Sequence, residues 1–142
     1  MVFELIIESV LNNSELIIRL VLAVFLGGLI GFERELSYKP AGLRTHMLVA
    51  LGAALFTIVS SNAFISDPAR IASGIVAGIG FIGAGTIIAE GKKIQGVTTA
   101  ASIWASAAMG LAIGSGMYLI GTVTSILIFI ILILGNVDKY YK

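Results

Sequence analysis

The chain is predicted to be an all-α integral membrane protein, a bundle of five transmembrane helices with the N-terminus outside and the C-terminus inside. Three observations predict it. First, 58% of the residues are hydrophobic and 12% charged, with a mean hydropathy of +1.04, whereas soluble domains carry about 25% charged residues. Second, five apolar runs each approach the roughly 17–25 residues that a helix needs to cross a bilayer core. Third, the positive charges gather in the loops that would share one side, as the positive-inside rule requires. No stretch of soluble composition remains, so residues 1–142 are read as a single membrane domain.

Taken in order, residues 2–11 fit either an amphipathic helix on the outer surface or an extension of the first span, with Glu4 and Glu8 on one face and Leu5, Ile6 and Val10 away from them. The first span, 16–32, accommodates Arg19 if that side chain snorkels outward beside Glu15, four residues earlier. Asn13 or Ser14 is the expected cap. The second span is 43–61. The third, 71–89, follows Asp67 at an N-cap and Pro68 at the first helical position, and Gly91 is read as its C-terminal stop. The fourth, 97–114, is joined to the fifth, 117–134, by a tight turn at Gly114, Ser115 and Gly116. This order puts Arg34, Lys39, Arg44, Lys92, Lys93, Lys139 and Lys142 inside, leaving Arg19 and Arg70 outside with Glu4, Glu8 and Glu15. Tyr118, Tyr140 and Tyr141 flank spans, and Trp104 sits mid-span against a neighbour or lipid.

Several functions are disfavoured. A net charge of +1 with no basic cluster argues against nucleic acid as a partner. The absence of cysteine removes disulfides, thiolate chemistry and Cys-type metal sites. Residues 1–11 lack the basic start and small-residue cleavage site of a signal peptide, so they are expected to be retained. No enzyme is expected: an intramembrane serine protease needs a Ser–His pair, yet His46 and Ser115 fall on opposite faces, about 30 Å apart. Gly78, Gly80 and Gly83 spell G-x-G-x-x-G without a preceding strand, so no dinucleotide fingerprint results.

Helices in lipid associate through small residues and interhelical hydrogen bonds. Gly27 with Gly31, Gly74 with Gly78, Gly110 with Gly114 and Ala101 with Ala105 carry that spacing. Gly74, Gly78, Gly80, Gly83 and Gly85 are dense enough to kink or unwind the third helix, for packing or for lining a pore. Thr98, Ser102 and Ser106 form a hydroxyl stripe on the fourth. Charged and polar residues converge on the inner boundary: Glu33, Arg34 and Glu35 end the first span, Arg44, Thr45 and His46 open the second, and Glu90 ends the third. Ionisable groups near membrane depth need partners, and Arg44 is expected to pair with Glu33 or Glu90. No resident cofactor is expected. Glu33, Glu35 and Glu90 are the candidate ligands for Mg²⁺, which takes one or two carboxylates and keeps most of its waters.

The blocks "GGLIGFERE", "KPAGLRTHMLVALGAALF", "DPARIASGIVAGIGFIGAGTII" and "GVTTAASIWASAAMGLAIG" resemble, in order and spacing, the membrane domain of the MgtC/SapB family over about residues 19–134. The resemblance implies a bacterial inner-membrane protein of five helices, linked to growth under Mg²⁺ limitation and, in pathogens, to survival inside host cells. It implies regulation of other membrane proteins, with transport of Mg²⁺ or another cation as the alternative. The family's charged motif maps onto Glu33, Arg34, Glu35, Arg44, Thr45, Asp67 and Arg70. Expected partners are the lipid bilayer, other membrane proteins and further copies of the chain. Longer members carry a cytoplasmic C-terminal domain, whereas this chain ends at Lys142.

Overall fold

The computed structural model describes residues 2–64, 66–91 and 93–137. Lys92, Lys139, Tyr140, Tyr141 and Lys142 lie outside the described residues, as do the side chains of Leu5, Ile6 and Glu90. The chain runs α1 (Val2–Asn12), α2 (Ser14–Leu36), α3 (Leu43–Ala63), α4 (Pro68–Ala84), β1 (Ile88–Glu90), β2 (Lys93–Gln95), α5 (Val97–Gly114) and α6 (Tyr118–Val137). Helices α2, α3, α5 and α6 are long and apolar enough to cross a bilayer, and α4 is a shorter apolar helix.

The core forms where α2, α3, α5 and α6 meet, around Ala23, Leu26, Ile30, Ala50, Ala54, Met109, Ile113, Ile128 and Leu132. Glycine sets how closely these helices lie. A Cβ on Gly27 would stand 2.6 Å from the His46 carbonyl oxygen, and one on Gly31 would stand 2.7 Å from Leu43 Cα. On the other face of α3, Gly110 and Gly114 bring α5 against the Ala50 and Ala54 carbonyls. Backbone-to-backbone approach of this kind holds helices together where lipid offers little hydrophobic drive. Ser125 Oγ donates to the Leu26 carbonyl at 3.3 Å and fastens α6 to α2.

Three expectations need correction. The third span was expected to run to residue 89, but α4 stops at Ala84, where the Thr86 hydroxyl donates to the Gly83 carbonyl at 2.7 Å. Strands β1 and β2 instead pair antiparallel, Ile88 with Gln95 and Glu90 with Lys93. A short β-branched apolar run reads equally as helix or strand from its sequence. Gly91, at φ +60°, lies between β1 and β2 and does not end a helix. The glycine-dense segment does not unwind as far as Gly83, since α4 is helical from Pro68 to Ala84. At the N-terminus, α1 is a helix of its own, broken from α2 at Asn13.

A buried polar seam at one end of the bundle

The last turn of α2 carries Glu33 and Arg34, 5% and 3% exposed. Arg34 Nη1 donates to Glu33 Oε2 at 3.4 Å, and Ser37 Oγ donates to Glu33 Oε1 at 2.7 Å. A carboxylate and a guanidinium buried together must satisfy one another or bear a large desolvation cost. Glu35, one position on, is exposed and accepts the Leu43 backbone N–H at 2.8 Å, so it caps α3 from across the loop.

From α3, the fully buried His46 reaches toward α5. Its Nδ1 lies 2.9 Å from the Gly42 carbonyl, an acceptor only, so Nδ1 carries a proton. Its Nε2 lies 3.1 Å from Ser102 Oγ, which in turn lies 2.9 Å from the Thr99 carbonyl. The Ser102 hydroxyl owns one proton, so it serves Nε2 or Thr99 but not both. Ser106 Oγ, one turn deeper, is buried, and neither it nor Arg34 Nε has a hydrogen-bond partner among the described residues.

This seam gathers Glu33, Arg34, His46, Ser102 and Ser106 from the expected set and leaves others apart. Arg44 is exposed and makes no ion pair among the described residues, and the basic partner of Glu33 is the adjacent Arg34. Thr45 is half-buried beside it. Asp67 takes the N-cap position of α4 without a side-chain cap bond, and Arg70 is exposed in the first turn, so both stand at the opposite end of the bundle. The hydroxyl stripe also shifts: Thr98 is exposed and Thr99 is buried. Steps of four residues drift around a helix of 3.6 residues per turn, so a buried line alternates steps of three and four, and Thr99, Ser102 and Ser106 keep to it. Among the described residues no three His, Asp or Glu side chains converge on a metal position.

The α4 glycines divide into two groups. A Cβ on Gly74, Gly78 or Gly80 would meet nothing within 4 Å among the described residues, while Gly83 packs on Ala100 of α5 and Gly85 ends the helix. Gly74 and Gly78 border an apolar groove of about 580 Å³ between α3 and α4, with Gly52 and Phe56 opposite.

At the far end of the bundle Arg19 does more than sequence suggests. It pairs with Glu15 as expected, and its Nη1 also donates to the Gly114 carbonyl at 2.9 Å and its Nε to Tyr118 Oη at 3.2 Å. The cation thus sits on the carbonyl end of α5, where the helix dipole favours positive charge. The i, i+4 spacing signals the Glu15 contact, but nothing local signals partners almost a hundred residues away.

Comparison with known proteins places these features in a family. The MgtC family model matches residues 20–139. YhiD of Escherichia coli strain K12, by its name a proposed magnesium transporter, is 48% identical over 84% of this chain and 60% of its own length. Protein MgtC of Brucella abortus strain 2308 is 53% identical over 67% of this chain and 40% of its own. Protein MgtC of Salmonella typhimurium strain LT2 is 48% identical over 72% and 44%. The chain therefore spans about half the length of the curated relatives it matches, and no solved structure matches it. With the match running from α2 through α6, the chain belongs to the MgtC family and corresponds to its N-terminal membrane domain.

Proposed function

We propose that this chain is a non-enzymatic protein of the bacterial cytoplasmic membrane that regulates other membrane proteins by lateral helix contact during adaptation to scarce Mg²⁺. In this reading α2 to α6 all cross the bilayer, the N-terminus lies outside, and Arg34, Lys39 and Arg44 mark the inner face. The observation that carries it is how the glycines are used. Gly27, Gly31, Gly110 and Gly114 are taken up by contacts within the chain, whereas Gly74, Gly78 and Gly80 of α4 meet nothing. A small-residue face in lipid admits a second helix closely, whether from another protein or from another copy of this chain. The commitment of Glu33 to Arg34 and Ser37, and of Glu35 to the start of α3, also argues against those carboxylates as open cation ligands.

The second reading is transport of Mg²⁺ or another cation. It draws on the name of the Escherichia coli relative and on the unpartnered Ser106 hydroxyl inside the seam. Liposomes carrying only this chain and an entrapped Mg²⁺-sensitive dye separate the two. The expected result is no flux at any imposed gradient. Flux that Glu33→Gln abolishes would replace the regulatory reading with the transport one.

A further inference from the structure

A cleft of about 540 Å³ opens at the inner end of the bundle where α5 begins. Its floor is the first turn of α5, Val97, Thr98 and Thr99, preceded by Gly96. Gly96 is the N-cap residue at φ +88° and brings no side chain to cap the helix. The first N–H groups of a helix have no intrahelical partner, and with the helix dipole they make a ready anion site. One wall of the cleft is Arg34. That side chain is 97% buried, is joined to Glu33 only through Nη1 at 3.4 Å, and has an Nε without a hydrogen-bond partner among the described residues. A guanidinium carries five N–H donors in a fork that matches phosphate oxygens, so this contact leaves most of its donor capacity unused. Lys39 borders the same cleft and adds a second positive charge. Ile131 of α6, 64% exposed, gives the cleft an apolar side.

We propose that this cleft binds a phosphate group, held by Arg34 and by the backbone N–H groups at the start of α5. Two sources share that chemistry, the headgroup of an anionic phospholipid and free inorganic phosphate. The exposed Ile131 suits a lipid, whose acyl chain would lie against it while its phosphate meets Arg34. Glu33 sits beside the site and compensates the charge of Arg34, so that guanidinium stays buried without a ligand.

The test places the ¹⁵N-labelled full chain in nanodiscs of neutral phosphatidylcholine and follows the Val97, Thr98 and Thr99 amides. One arm adds phosphatidylglycerol to the discs, and the other titrates inorganic phosphate into neutral discs. The expected result is a saturable shift of those amides with phosphatidylglycerol. A shift with inorganic phosphate as well assigns the site to phosphate from either source, and a shift with lipid alone assigns it to the headgroup. Arg34→Gln is expected to weaken binding at least tenfold. Because Arg34 is buried, Thr98→Glu serves as the second variant: the residue is exposed, and a carboxylate in the first turn suits the helix dipole, so the fold stays intact while the added charge repels phosphate. Amides unmoved in both arms, or a Thr98→Glu protein that binds as the parent does, would overturn the proposal.

Discussion

Glycines of one spacing behave as two populations, and substitution tells them apart. Gly110→Ala drives a methyl into the Ala50 carbonyl of α3, an overpacking that costs about 1–3 kcal/mol. Gly74→Ala meets open space and removes the flexibility of glycine from a helix, a gain of about 0.5–1 kcal/mol. Unfolding titrations of the two variants in mixed micelles are expected to move in opposite directions. The small-xxx-small pattern marks both positions in the sequence, but only the fold shows which glycines are already occupied. The buried seam has the same character. Glu33, Arg34, His46, Ser102 and Ser106 stand out in the sequence because polar groups interrupt apolar runs, whereas the partnership of Glu33 with Arg34 and the replacement of Thr98 by Thr99 follow from rotations of a few tens of degrees that spacing alone does not resolve.

Among elements, the tie between α2 and α5 is the sharpest case. Arg19 holds the Gly114 carbonyl at the end of α5 and Tyr118 at the start of α6, while Glu15, 66% exposed, pairs with Arg19 and accepts from Tyr118 Oη. Arg19→Ala is expected to lower the unfolding midpoint more than Glu15→Ala does, and raising the salt concentration is expected to shrink the effect of Glu15→Ala more, since exposed ion pairs are screened and part-buried hydrogen bonds much less so. A midpoint that falls equally in both variants would show that the pair, and not the cap on α5, supplies the stability. Helix existence was legible throughout: the fourth expected span coincides with α5, and the first, second and fifth match α2, α3 and α6 to within a few residues. The hairpin was not, because the β-branched run 86–88 continues the hydropathy of α4 without interruption. Its geometry depends on Gly96, where a Cβ would run into the Thr86 carbonyl at a backbone angle that only glycine adopts readily.

For the whole molecule, the proposed five crossings place the two termini on opposite sides of the membrane. Reporter fusions are expected to find the N-terminus in the periplasm and residues beyond α6 in the cytoplasm; both ends on one side would remove α4 from the set of crossings and separate the Arg34 seam from the inner leaflet. The α4 helix has 17 residues, a length of about 25 Å at 1.5 Å per residue, against a hydrocarbon core of about 30 Å. As the fifth crossing it is several ångströms too short, and the adjacent leaflets must dimple to meet it, at a fraction of a kcal/mol per ångström. Two such dimples cost less merged than apart. In the proposed five-crossing arrangement the short helix would thus draw other undersized helices toward its flank before any side chain touches, so that bilayer elasticity would bias which neighbours this protein meets.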